Sequence, residues 1–312
     1  MPPPVHPGMT THPGPAPTTA TLPVEGAVLT YDVRGDLAST TPDRPPLLLI
    51  GAPMPATGFA TLASHFPDRV VVTYDPRNTG RSTRDEPTAA VTTAEHAADL
   101  HALLAALGRG PVDLFGSSGG AVVALGLVAR YPDDLRTLVA HEPPAGGLLP
   151  DAERLAAVQA DILDTYDREG HGPAMARFIA HVMHRGQVPA DALGAPAPDP
   201  AMFGLSAEDD GRRDDPLMAN LRGGGARDGV DVEAVGRAAT RVVVGVGAQS
   251  GGPTDGEMAA RSGYALAAAL GVEPVVFPGG HNGFLGGEFG QTGEPDAFAA
   301  TLRAVLESPV PS

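Results

Sequence analysis

From residue 24 onward the chain alternates short apolar runs with amphipathic stretches, and this rhythm constrains its architecture more than any other feature. The runs at 24–32, 47–50, 70–74, 112–115, 136–140, 241–247 and 274–277 are too short for buried helices, and Gly or Pro bounds many of them, so they read as strands. Between them, 58–66, 92–107, 119–130, 258–270 and 296–307 read as helices. Residues 92–107 are the clearest case. Thr92 or Thr93 can cap the start, Glu95 lies in the first turn, Leu100, Leu103, Leu104 and Leu107 form a stripe, and Gly108 ends it. Strand and helix repeated in this way predict an α/β fold with a mostly parallel central sheet flanked by helices. The rhythm breaks after Glu142-Pro143-Pro144, where 151–169 and 173–185 read as two further helices. Residues 188–231, rich in Pro, Gly and Asp, have room for at most one short helix. The expected layout is a core of residues 22–143 and 236–312, interrupted by a mainly helical insertion over 144–235. Residues 1–21 are rich in Pro, Thr, Gly and His, bury too little apolar area to offset their ordering entropy, and read as a disordered tail.

Composition removes several function classes. With no cysteine there are no disulfides, thiolate metal sites or Cys nucleophile. All 21 basic residues are Arg, so Schiff-base chemistry and the phosphate-loop lysine are absent as well. A formal charge of -16 repels polyanions within a Debye length of roughly 8 Å, which makes nucleic acid an unsuitable partner. No window approaches the roughly 20 apolar residues that span a bilayer, and the first residues lack a cationic start followed by an apolar run. The expectation is a cytoplasmic protein with no membrane partner; the sequence sets no oligomeric state. His171, His181 and His184 lie near one another, but no third ligand of matching spacing joins His181 and His184, so no metal is expected. Asp209, Asp210, Asp214 and Asp215, interleaved with Arg212 and Arg213, read as a solvated loop.

The chemistry is carried by Gly116-Ser117-Ser118-Gly119-Gly120, a G-x-S-x-G string between a predicted strand and a predicted helix. Such a turn holds Ser118 in strained geometry at a helix N-terminus, where free N–H groups favour an oxyanion. His281 sits in the glycine-rich loop after the last strand. A parallel sheet delivers all its C-terminal loops to one edge, so His281 can meet Ser118 and serve it as base and then acid. Gly51-Ala52-Pro53 follows an earlier strand; Pro53 has no N–H, which leaves Ala52 and Gly119 as the backbone donors of an oxyanion hole.

With these residues in place, the stretch from 24 to 307 resembles the α/β-hydrolase family. Asp75-Pro76-Arg77-Asn78-Thr79-Gly80-Arg81-Ser82 is similar to that family's D-x-R-G-x-G-x-S signature, with Asn78 in place of a glycine; Asn tolerates the left-handed conformation better than most residues. The resemblance implies an α/β-hydrolase fold in which 144–235 is a cap over the active site, and no cofactor. Of its apolar residues Met175, Phe178, Ile179, Met183, Met202 and Phe203, two or three at most should face substrate, since helix-spaced apolar residues are mostly core. The family's usual acid follows the strand at 241–247 in a pattern ending G-x-x-D, but here that stretch is Gly247-Ala248-Gln249-Ser250, with no carboxylate before Asp255.

The preferred acid is Glu142, with Asp255 the alternative. From Ser118 the chain runs out along a helix and returns on a neighbouring parallel strand roughly 4.8 Å away, so Glu142 emerges beside the serine. Haloalkane dehalogenases and zearalenone lactone hydrolases place their acid there. The segments 115–125, 131–136 and 141–144 are locally similar to the lactone hydrolases, whereas dehalogenases and epoxide hydrolases use an Asp nucleophile. The resemblance implies a serine hydrolase acting on a small hydrophobic carboxylic ester or lactone through an acyl-enzyme. The same triad would serve a thioesterase, acyltransferase or peptidase, and the altered acid position leaves open a ligand-binding protein without turnover.

Overall fold

In the computed structural model, which describes residues 16–194, 196–224 and 230–308, one nine-stranded sheet forms the centre of the molecule. Its strands are β1 (Thr18–Val24), β2 (Ala27–Arg34), β3 (Leu47–Ile50), β4 (Val71–Asp75), β5 (Thr83–Arg84), β6 (Val112–Ser117), β7 (Leu135–His141), β8 (Arg241–Gly247) and β9 (Val275–Phe277). The helices are α1 (Ala60–Ser64), α2 (Thr93–Leu107), α3 (Gly119–Arg130), α4 (Ala152–Glu169), α5 (His171–Val182), α6 (Pro216–Arg222), α7 (Val232–Arg237), α8 (Met258–Leu270) and α9 (Pro295–Glu307). Spatial order is β1-β2-β4-β3-β6-β7-β8-β9, with β5 beside β2. All pairings from β4 through β3 to β9 are parallel, and those of β2 are antiparallel.

The central strands are continuously apolar because both faces are covered. In β3, Leu48 and Ile50 join the cluster under α2 and α3, which also takes Leu100, Leu103 and Leu125. Leu47 and Leu49 point the other way, into a cluster with Phe59, Phe115, Phe284 and Phe298. This alternation lets one four-residue strand serve two layers. The predicted capping of α2 is present: Thr92 accepts from the Glu95 N–H, the Glu95 carboxylate accepts from the Thr92 N–H, and Gly108 closes the helix at φ 62°.

Two expectations change. The single strand read at 24–32 is a hairpin, broken at Glu25-Gly26, where Gly26 takes φ +68°. Residues 18–21, expected in the tail, belong to β1; residues 1–15 lie outside the described residues. The Thr-rich strand gives no apolar run to read, yet it pairs with β2 from Thr18↔Val33 to Val24↔Ala27 and sets Leu22 against the core.

Between β7 and β8 the chain forms α4, α5 and α6, which share their own cluster of Ile162, Tyr166, Ala174 and Met218. The described residues of 188–231 carry one short α-helix, α6, and two 3-10 turns, Ala192–Gly194 and Pro200–Phe203. This helical layer is tied to the α/β core by Asp151 before α4 and Arg261 on α8, both buried, whose Oδ1 and Nη2 lie 2.5 Å apart. The expected boundary at 236 falls inside α7, whose Val235 is buried in the α2/α3 cluster.

Candidate active site

Ser118 stands where β6 ends and α3 begins, at φ 54° and ψ −126°. Such a conformation costs a non-glycine residue about 1–3 kcal/mol and persists only where the surroundings enforce it. They do so here through contact. A Cβ at Gly119 would collide with the Ala52 carbonyl oxygen, and one at Gly120 would sit 2.6 Å from the Ile50 carbonyl oxygen. The Ser118 N–H donates to the His141 carbonyl at 3.0 Å, which joins the turn to the end of β7.

The next residue on β7's path, Glu142, is also held at positive φ, 47°. Its N–H donates to the Gly245 carbonyl at 2.9 Å, so its buried side chain is delivered between the ends of β7 and β8. One carboxylate oxygen, Oε1, accepts from the Gly247 N–H at 2.7 Å. The other, Oε2, lies 2.6 Å from Nδ1 of His281, which donates to it. Burial pushes this carboxyl up, but the His281 hydrogen bond, the His141 and His281 rings and the Gly247 N–H outweigh it and leave the pKa at about 2. Asp255 is exposed and accepts from the Gly252 N–H at 2.9 Å within its own turn.

Ser118, His281, Ala52 and Gly119 line one cavity of about 470 Å³. Among the described residues the hydrogen-bonded pair is Glu142 with His281; Ser118 faces the imidazole's cavity without a direct hydrogen bond to the ring. Ala52 is positioned by the Asp75-to-Ser82 segment. Asp75 Oδ1 accepts from the Ala56 N–H at 2.7 Å, while its Oδ2 accepts from the Arg81 N–H and Nε. Arg77 makes two bonds to Asp99, at 2.6 and 2.7 Å, and Ser82 Oγ donates to the Asp75 carbonyl. The signature is thus a bracket that fixes the loop after β3. Asn78 takes φ 60°, and its Nδ2 donates to the Asp214 carbonyl of the insertion at 3.0 Å, a tie a glycine lacks.

The far wall comes from the insertion. Phe178 and Met183 line the cavity, two of the six apolar residues considered; Met202 is 76% exposed. Ile162, Val182, Leu217, Leu221 and Met258 add to the apolar surface, and Gln159, Asn220 and Glu257 were not legible in the sequence, where nothing but packing distinguishes them from surface polar residues. Among the described residues no three metal-ligating side chains converge. The acidic cluster is paired internally, Asp209 with Arg213 and Asp214 with Arg212, each at 2.8 Å. No helix of the described residues is long and apolar enough to cross a membrane.

Comparison with known proteins agrees with this architecture. A family model for the alpha/beta hydrolase fold matches residues 46–221. An uncharacterized hydrolase of Bacillus subtilis (strain 168), YraK, is 37% identical over 125 residues, which are 39% of this chain and 44% of that protein, so the match spans under half the relative's length. The thermophilic esterase from Thermogutta terrifontis superposes with a TM-score of 0.63 at 20% identity, covering 93% of this chain and 97% of that one. The enol-lactonase from Burkholderia xenovorans LB400 superposes with a TM-score of 0.62 at 18% identity, covering 93% and 100%.

Proposed function

The chain is an enzyme of the alpha/beta hydrolase fold family, and from that premise we propose that it hydrolyses a carboxylic ester or lactone with Ser118 as nucleophile, His281 as general base and acid, and Glu142 as the acid that orients it. The observation that carries the reading is the 2.6 Å bond between His281 Nδ1 and Glu142 at the wall that also presents Ser118. With Nδ1 donating to the carboxylate, the ring's free nitrogen is Nε2, the atom that takes a proton from Ser118 Oγ.

As Oγ bonds to the substrate carbonyl carbon, Nε2 accepts the hydroxyl proton and the carbonyl oxygen becomes an oxyanion. The N–H groups of Ala52 and Gly119 receive that oxygen, helped by the positive end of α3. Collapse expels the alkoxide, which leaves with the proton from Nε2 and gives an acyl-Ser118. Water then repeats the sequence, with His281 removing its proton and returning one to Ser118. In a lactone the leaving alcohol stays tethered to the acyl group. The insertion acts as a cap whose apolar wall takes the hydrocarbon part of the substrate.

The test is covalent labelling. A fluorophosphonate should add one mass increment at Ser118, located by peptide mapping, and should add none to Ser118→Ala or to acid-denatured protein. Native protein that stays unlabelled, or that labels elsewhere, would sink the proposal.

A further inference from the structure

The cavity wall carries a carboxylate that the hydrolytic chemistry does not require. Among the described residues that line it there is no guanidinium, and the one carboxylate is Glu257, at the N-cap of α8. Of the amides on the same wall, Gln159 donates to the Leu221 carbonyl, Gln249 to Glu294, and Asn282 to Gln291. Asn220 pairs through its Oδ1 with His96 Nε2 at 2.9 Å. These groups are neutral and cannot offset the charge of an entering anion. Glu257 sits at the seam between core and insertion, its backbone paired with Arg185 and its Oε1 in a long salt bridge, 3.6 Å from the Arg185 guanidinium. Arg185 spends its Nη2 on the Gln249 carbonyl at 2.6 Å. The carboxyl is therefore only partly compensated. Burial pushes it upward, as does neighbouring Glu142, while Arg185 and His281 pull the other way.

We propose that Glu257 makes this cavity selective by charge, admitting esters or lactones that are uncharged or cationic and turning away those that bear a carboxylate. The inference rests on the ester-cleaving reading above. An anion at the wall meets the Glu257 carboxylate with Glu142 nearby and no guanidinium on the lining itself, in a site where water is partly displaced and screening is weak. A second cavity of about 260 Å³ shares Gln159, His181 and Met258 with the first, so a substituent passing α8 has room beside Glu257.

The experiment compares aryl esters whose acyl chains are matched in length and end in methyl, carboxylate or trimethylammonium, together with the mirrored set charged on the alcohol side. The quantity read is the ratio of kcat/KM for the uncharged over the carboxylate ester within each variant, which cancels general losses of activity. In the native enzyme at least one set should give a ratio of roughly tenfold or more, reduced by added salt. Glu257→Gln should shrink it by at least about threefold, and Arg185→Gln should widen it, because the counter-charge is gone. If the aryl esters are not turned over, the same ratio is read from labelling rates of fluorophosphonates with matched tails. Ratios near one in both sets, a preference for carboxylate, or ratios indifferent to Glu257→Gln would overturn the inference while leaving a labelled Ser118 and the hydrolase reading intact. Absence of Ser118 labelling would remove both.

Discussion

A carboxylate with its side chain fully shielded from water survives in Glu142 because each oxygen has its own donor, the Gly247 N–H and the His281 Nδ1–H. In the proposed triad, Glu142→Gln keeps the shape but removes the charge that would stabilise an imidazolium, and its NH2 group would push the ring toward the wrong tautomer. We expect kcat on an activated ester to fall about 10⁴-fold, while Asp255→Asn stays within about twofold. Steady-state kinetics on the two variants decide between them, and the opposite ranking would move the acid to the loop after β8. Ser118→Ala should drop turnover to the residue left by the oxyanion donors while leaving the circular dichroism spectrum unchanged. Ser118 and His281 were legible as candidates because each lies in a short glycine-rich string whose strand context is plain. Glu142 needed topology, since only the order β6-β7 puts it beside the serine. Glu257 had no sequence signal: it precedes an ordinary helix, and its place on the cavity wall depends on how the insertion folds back.

Among the elements, the parallel strands were readable because burial on both faces leaves unbroken aliphatic runs, whereas β1 was missed because a Thr-rich edge strand half open to solvent resembles a polar tail. The helices α4 and α5 announced themselves by periodicity, but nothing in it says where they dock. Docking rests in part on the Asp151–Arg261 pair, in which Arg261 also donates to the Gly186 carbonyl and Asp151 accepts from the Val188 N–H. Arg261→Met leaves a buried carboxylate with one backbone donor, and breaking one half of such a pair costs about 3–5 kcal/mol. The thermal midpoint should fall by roughly 5–10 °C. Because this pair joins α8 to the start of α4, both of which border the cavity, KM should rise more than kcat falls. A melting curve and a saturation curve on the same preparation check both. An unchanged midpoint would mean that the pair only breaks even with its desolvation.

On the scale of the whole molecule, stability should depend on pH through a histidine outside the proposed triad. His141 is fully buried, neither ring nitrogen has a partner, and Phe115, Phe277 and Phe298 surround it with ring centroids 5.1–5.9 Å away. Burial pushes its pKa down from 6.5 to about 4, against the pull of Glu142 and with that of His281. Above pH 6.5 the ring is neutral folded or unfolded. Between 6.5 and 4 the unfolded chain takes up a proton that the folded one refuses, so stability is lost as pH falls, in total on the order of 3 kcal/mol. Glu142, lowered from 4.5 to about 2, keeps its contribution above 4.5 and loses it only as pH drops toward 2, below most of this window. His96 and His181, also pushed down by burial, titrate alike in any His141 variant and cancel in a comparison. His141→Phe fits the aromatic surroundings and removes the proton site. Urea unfolding of both proteins at pH 7, 6, 5 and 4 should give a stability difference that shifts toward the variant with each step down. A difference independent of pH would mean that the native ring is protonated in place, which its apolar surroundings and unpartnered nitrogens argue against.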